Sequence, residues 1–294
     1  TTNAPGGCQP ATDQRIININ GINPGTIGPD ATICSGGNAG QINSTASATG
    51  NGTISYQWQS NTSGCGDAFT DIPGATSANY DPPAGQTLTT YYRRIATSTL
   101  NGEECEAISN CVTVFVNNVN SGAIVPPEPV CSNVNAPRFQ VLTPATGDGT
   151  LSYTWQFRTA DCNTGPLQTA PGSTTNTTEN YDPPPRAATT YYIRTTISTL
   201  NGVSCSETIC VVLPVLPNTT PTFDPIPPIC AGETLDPLPT TSNNGISGTW
   251  SPALNNTQTT IYTFTPNGGS CANLYQLTIE VNQLPAAPTV GTIT

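Results

Sequence analysis

TTYYRRIATSTLNGEECEAISNCVTVFV, residues Thr89 to Val116, returns as TTYYIRTTISTLNGVSCSETICVV at Thr189 to Val212. Each copy reads as one long strand, a tight turn at Asn101-Gly102 or Asn201-Gly202, and a return strand that carries cysteines. Asn-Gly between strand-like runs is the strongest short-range hairpin signal, because both turn residues need positive φ. Val112, Val114 and Val116 alternate on the return strand, so they face one way. Tyr91 and Tyr92 are adjacent and must face opposite ways, one to the core and one out. A copied strand, turn and cysteine mark a repeat protein, and the rest of the chain follows the same register.

Cys34, Trp58 and Cys65 recur as Cys131, Trp155 and Cys162, each 97 positions on. Tyr80-Asp81 recurs as Tyr181-Asp182, and Cys105 as Cys205. A third, shorter copy keeps Cys230, Trp250 and Cys271, with Leu277, Ile279 and Val281 alternating on its closing strand. It lacks counterparts of Cys65 and of the Asp81-Pro82-Pro83 turn. The expected division is residues 1–20 as the closing strand of a preceding module, 21–30 as a linker, and 31–118 and 119–218 as full modules. Residues 219–283 form a shorter module, and 284–294 a linker with the start of the next unit. The chain therefore reads as an internal slice of a longer protein. Short strands at about ten-residue spacing, one Trp per module and a module length near 100 residues give an all-β class of tandem immunoglobulin-like β-sandwich modules. Trp58, Trp155 and Trp250 are expected in their cores.

Composition excludes much chemistry. The chain has 7 basic and 18 acidic residues, a net charge of −11, and no His. All its basic residues are Arg. Such a chain offers no basic footprint for nucleic acid or an anionic membrane, and no apolar run is long enough to span one. Without His, no Ser-His-Asp or Cys-His pair can form; without Lys, neither can a Schiff base or a phosphate-binding loop. Asp81, Asp182, Glu103, Glu104, Glu106 and Glu207 fall in turn-rich stretches rather than as a facing carboxylate pair. The expectation is a non-enzyme with no cofactor. The one cation to weigh is Ca²⁺ held by carboxylates, although no EF-hand or nonapeptide loop is present. Asn-x-Ser/Thr tripeptides at Asn43, Asn51, Asn61, Asn176, Asn218 and Asn255 are what a chain rich in Asn, Ser and Thr produces by chance.

Eleven cysteines without His or a Cys-x-x-Cys pair point to disulfides in an oxidising compartment rather than zinc. The third module lacks counterparts of both Cys65 and Cys111, and positions that vanish together are most simply partners. The expected bonds are Cys34–Cys105, Cys65–Cys111, Cys131–Cys205, Cys162–Cys210 and Cys230–Cys271. The rival set joins Cys34 to Cys111 and Cys65 to Cys105. Cys8 stands as far before Asn20 as Cys105 stands before Asn117. It is expected to be unpaired or paired outside its module.

Four stretches carry a family resemblance: SYQWQ from Ser55, DIPGATSANYDPP from Asp71, TTYYRR from Thr89, and PPIC from Pro227 with the following LPTTSNNGISGTWSPALNNTQTTIYTFTP. They resemble repeat modules of giant Bacteroidetes cell-surface proteins, including gliding-motility adhesins exported by the type IX system. The resemblance implies secretion, attachment at the bacterial cell surface, and a role in adhesion or a surface filament; it implies no catalytic residue. Partners would be identical chains, surface glycans or solid surfaces. The alternatives are a carbohydrate-binding accessory region of a secreted enzyme, which needs exposed aromatics, and a passive spacer for a distal tip domain.

Overall fold

The long strand Thr90–Leu100 is the centre of the first module. Its alternation buries Tyr92, Arg94, Ala96 and Ser98 and leaves Tyr91 half-buried. In this computed structural model, which describes residues 17–172, 179–283 and 285, no described residue is helical. Thr53–Asn61 pairs antiparallel with the long strand, Trp58 opposite Arg94. On the other side lie Glu103–Ile108, folded back through the Asn101-Gly102 turn, and then Val112–Asn117. Both turn residues have positive φ, 53° and 86°, as the Asn-Gly signal requires. The first strand, Ala31–Cys34, runs parallel to the closing strand and ends the sheet, so Cys34 stands opposite Asn117. The facing layer is small: Thr26–Gly28 pairs with Asn43–Ala46, and Ile42 bridges Tyr80.

Ile27, Ile33, Ile42, Trp58, Tyr92, Val112, Val114 and Val116 fill the space between these layers. Trp58 has no exposed surface, and its indole N–H donates to the Ser77 carbonyl at 2.8 Å. Burying a Trp withdraws about 200 Å² from water, worth about 5 kcal/mol. That burial makes Trp58 a structural residue and not a sugar platform.

The second module repeats the plan with strands Gln168–Thr169, Thr150–Arg158, Thr190–Leu200 and Val203–Leu213 in sheet order. Phe139, Trp155, Tyr181 and Tyr192 make an aromatic core with ring centroids 5.2–6.2 Å apart. Its return strand is continuous, whereas in the first module the return breaks between Ile108 and Val112. Side chains explain the break. The Ser109 hydroxyl accepts from the Arg94 amide, and the Asn110 amide group both accepts from the Ile27 N–H and donates to the Ile27 carbonyl. Ile209 occupies the Asn110 position in the second copy and can do neither.

The third module has a three-stranded sheet of Gly248–Ser251, Thr260–Pro266 and Tyr275–Ile279, and Ile229–Cys230 lies parallel to Val281–Asn282. Tyr262, Leu277, Ile279 and Val281 are its centre. Trp250 departs from the expected core position. It is half-buried at the margin of the core, against Phe223 and Phe264, and its N–H donates to the Pro239 carbonyl.

Two compact units divide these residues. The first comprises the described residues up to Asn120 with Thr146–Leu151 and Ile197–Ser206; the second comprises Ser121–Ala145, the described part of Ser152–Thr196, and Glu207 onward. The stretch 21–30, expected as a linker, is built into the first sandwich: Ile22–Asn23 and Thr26–Gly28 are strands, and Ile27 lies in the core. Of the strand expected over 1–20, Ile17–Asn20 are described and none of them is in a strand. Cys8, Asn176 and all of 284–294 except Pro285 lie outside the described residues.

Candidate functional site: cystine staples and their sockets

Three of the five expected disulfides are corrected. The first-strand cysteine Cys34 stands opposite Asn117, beyond the start of the long strand, while Cys105 stands opposite Ser98 beside the hairpin turn. Along the sheet these positions differ by about 11 residues, or about 35 Å at strand rise. A disulfide requires Cα atoms within about 7 Å, so Cys34 and Cys105 of one module cannot meet. Cys34 instead bonds Cys205, with Cα atoms 5.5 Å apart. In the same way Cys131 bonds Cys271 rather than Cys205, at 5.1 Å. The first-strand cysteine of one module is thus stapled to the hairpin cysteine of the next. Cys230 is therefore not bonded to Cys271, and Cys105 and Cys230 are free thiols. Cys65–Cys111 and Cys162–Cys210 are cystines within their modules, with Cα atoms 5.8 and 5.9 Å apart.

Each staple encloses a long loop. Separations of 171 and 140 residues correspond to about 5 kcal/mol apiece in the chain-entropy account, against about 4 for the 46- and 48-residue loops. These are large beside a total stability of about 5–15 kcal/mol for a domain.

Hydrogen bonds seat the stapled hairpin. Asn117 is fully buried; its side-chain N–H groups donate to the Ser198 and Val203 carbonyls, and its oxygen accepts from the Ser198 hydroxyl. The same hydroxyl accepts from the Gly149 amide. The next residues continue the seat. The Asp148 amide donates to the Asn118 carbonyl, and Val119 and Asn120 pair with Gly147 and Thr146. The first module's hairpin carries a matching set. Asn20 donates to the Ser98 and Glu103 carbonyls and accepts from the Ser98 hydroxyl, which also receives the Gly52 amide. The Asn51 amide donates to the Gly21 carbonyl, and Ile22 and Asn23 pair with Gly50 and Thr49. At the other staple, the Thr219 amide donates to the Cys271 carbonyl and the Asn273 amide to the Thr219 carbonyl.

A buried arginine sits beneath each full module's entrance. Arg94 has no exposed surface and donates to the Ala78 and Pro24 carbonyls, its guanidinium 4.4 Å from the Tyr56 ring centroid. Arg194 is equally buried and donates to the Glu179 and Ser121 carbonyls. Burial lowers the pKa of both. The glycine after each accepting carbonyl explains the local backbone. Gly25 and Gly122 have φ of +68° and +64°, and a Cβ at either would lie 2.2 Å from a backbone oxygen. Only glycine turns the chain there without a clash, and the turn delivers the preceding carbonyl to the arginine.

The surface offers little for a small ligand. None of the 19 Trp, Tyr and Phe side chains is exposed, and all lie among the described residues. Burial raises Tyr92, Tyr153 and Tyr181 to about 12. Among the described residues, no three His, Cys, Asp or Glu side chains gather into a metal-holding group. No described helix is long and apolar enough to cross a membrane. Four cystines belong to an oxidising, extracellular environment.

A family model described as a domain of unknown function (DUF8696) matches residues 23–118. No match was found among curated proteins. Solved structures that align with this chain include three N-terminal domains of the highly immunogenic outer capsid protein (Hoc) of bacteriophage RB49, at 10% identity and a TM-score of 0.38 over 67% of this chain and 69% of that one. Sidekick-1 immunoglobulin domains 1–4 align at 13% identity and a TM-score of 0.34, over 88% and 72% of the two chains. A complex of Dpr2 Ig1-Ig2 with DIP-Theta Ig1-Ig3 aligns at 9% and 0.37, over 91% and 100%. Among its described residues the chain is an all-β tandem of repeated modules braced by disulfides.

Proposed function

We propose that this chain is a structural and adhesive segment of a long extracellular repeat protein, of the type IX-secreted Bacteroidetes surface kind, serving as a stalk or surface filament. The observation that carries this reading is the cross-module pairing, Cys34 to Cys205 and Cys131 to Cys271. A domain that works alone closes its disulfides on itself. Cysteines that tie each module to the next add nothing to a binding pocket, but they fix a series of modules against tension and hydrolysis. A low content of charged residues and a shortage of exposed aromatics fit a scaffold better than a sugar-binding face.

Negative-stain electron microscopy of the native protein, oxidised and then reduced, tests the proposal. Regular rods or filaments that lose their regular length on reduction are expected. Compact particles of unchanged outline in both states would overturn it. A glycan array on the same material would show no specific binding if the accessory-module alternative is wrong.

A further inference from the structure

Cys105 and Cys230 are the two described cysteines without a bond. Their counterparts are not free. Cys205 and Cys271, at the Cys105 position, are both bonded, and so are Cys34 and Cys131, at the Cys230 position. The register around each free thiol is that of the closed staples. Cys230 stands opposite Asn282 on a parallel closing strand, as Cys34 stands opposite Asn117 and Cys131 opposite Leu216. On the other side, Asn20 to Asn23 seat on the first hairpin through the same bonds by which Asn117 to Asn120 seat on the second. The hairpin socket beside Cys105 is thus formed, with an asparagine seated in it and Cys105 a free thiol. Both thiols are open to a partner: Cys230 is exposed and Cys105 half-buried, as the stapled Cys271 is.

We propose that Cys105 and Cys230 are the two open halves of this staple. Each bonds a cysteine of another module of the same repeat: Cys230 takes a hairpin cysteine, and Cys105 takes a first-strand cysteine. Between two copies of this chain, Cys230 of the first links to Cys105 of the second, its neighbour Asn282 taking the hairpin seat that Asn20 holds in the single chain, and one Cys105 and one Cys230 stay open at the ends. The reaction is thiol–disulfide exchange with a small disulfide oxidant. The Cys230 thiolate attacks the oxidant, forming a mixed disulfide and expelling one thiolate. The hairpin thiolate then attacks the Cys230 sulfur and expels the second. Two thiol protons and two electrons leave the protein, and the oxidant departs as two thiols. This inference rests on the stalk reading and gives it a linking chemistry.

The full chain with Cys8→Ser, held at high concentration in a glutathione redox buffer, provides the test. Non-reducing electrophoresis should show a ladder of covalent oligomers, and peptide mapping should find Cys105–Cys230 as the linking peptide. Mixing Cys8→Ser/Cys105→Ser with Cys8→Ser/Cys230→Ser should give a dimer and nothing larger, because one matching pair is present. Monomers whose two thiols stay alkylatable would overturn the proposal, as would Cys105–Cys105 and Cys230–Cys230 links as abundant as the mixed pair. The same map separates this failure from that of the stalk reading. Absence of Cys34–Cys205 and Cys131–Cys271 peptides would sink both, whereas their presence with Cys105 and Cys230 both left unlinked would sink the present inference alone. Mapping of protein from its native source distinguishes the partner's origin: a Cys230 linked to Cys105 marks a second copy, and a Cys230 linked to a different hairpin sequence marks a further module.

Discussion

Removing the cystine between Cys162 and Cys210 should lengthen the fully stretched, oxidised chain, although that bond lies inside a single module. From Cys34 to Cys271 the backbone runs through roughly 240 residues, which can extend to about 830 Å at ~3.5 Å per residue. With all four cystines closed, the shortest covalent route crosses to Cys205, follows the chain to Cys210, crosses to Cys162, returns to Cys131 and crosses to Cys271. That route contains about 36 residues, so tension becomes taut at about 140 Å. In Cys162→Ser/Cys210→Ser the shortest route switches to Cys65–Cys111 and Cys131–Cys271, with about 51 residues and about 190 Å. Adding Cys65→Ser/Cys111→Ser leaves the Cys34–Cys205 crossing and about 66 residues, near 240 Å. Single-molecule stretching between terminal handles reads each step as a gain of about 50 Å in final contour length, and full reduction as a far larger one. Modules closed on themselves through Cys34–Cys105, Cys131–Cys205 and Cys230–Cys271 would route tension through neither intramodule cystine. Unchanged contour length in both variants would therefore refute the cross-module pairing.

Other expectations concern the seats and the cores. Asn117→Ala strands the Ser198 hydroxyl and two carbonyls in a buried site and should cost about 2–3 kcal/mol in a denaturant melt. Asn20→Ala, in the more open socket, should cost about 1 kcal/mol. Arg94→Ala should destabilise by about 3 kcal/mol or more, since it empties a fully buried volume and removes two donors; Arg94→Met, which keeps the packing and removes a buried charge, should cost clearly less in the same melt. Gly122→Ala places a Cβ against the Thr143 carbonyl at positive φ and should lower the melting temperature more than Gly232→Ala, also at positive φ but with open space around it. Tyr92, Tyr153 and Tyr181 are raised from 10.0 to about 12 in the folded chain, chiefly by burial. Their contribution to stability is whole below pH 10 and is lost as pH climbs from 10 towards 12. Ultraviolet titration should show these phenols ionising late and together with alkaline unfolding.

The hairpins, the buried faces of the long strands and the two full-module Trp residues were readable in the sequence because each depends on local pattern. Asn-Gly sets the turn, and alternation sets which of Tyr91 and Tyr92 faces inward. The staples depended on something no local pattern carries. Which end of the sandwich holds Cys34 follows from its parallel pairing with the closing strand, a contact between residues 83 apart at Ala31 and Val114. Cysteines that vanish together form a class, but a class shared by every module does not say whose member is bonded to whose, and the expected Cys34–Cys105 bond is replaced by Cys34–Cys205. The buried Arg94 and Arg194 are not legible in the sequence for a related reason. Their positions alternate inward with Tyr92 and Ala96, or Tyr192 and Thr196, yet a charged residue on such a face reads as surface until the carbonyls freed by Gly25 and Gly122 are seen to receive it. Trp250 matches Trp58 and Trp155 in sequence, yet in the shorter third module it lies at the core margin.

The overlapping spans of the two staples have a further effect under proteolysis. Any single peptide bond cut between Cys34 and Cys205 leaves the two fragments joined by the first cystine, and any cut between Cys131 and Cys271 leaves them joined by the second. Together the spans cover the whole stretch from Cys34 to Cys271 without a gap. A protease that nicks one exposed loop therefore scars the protein without severing it, and the distal end stays attached until a second, suitably placed cut or a reductant arrives.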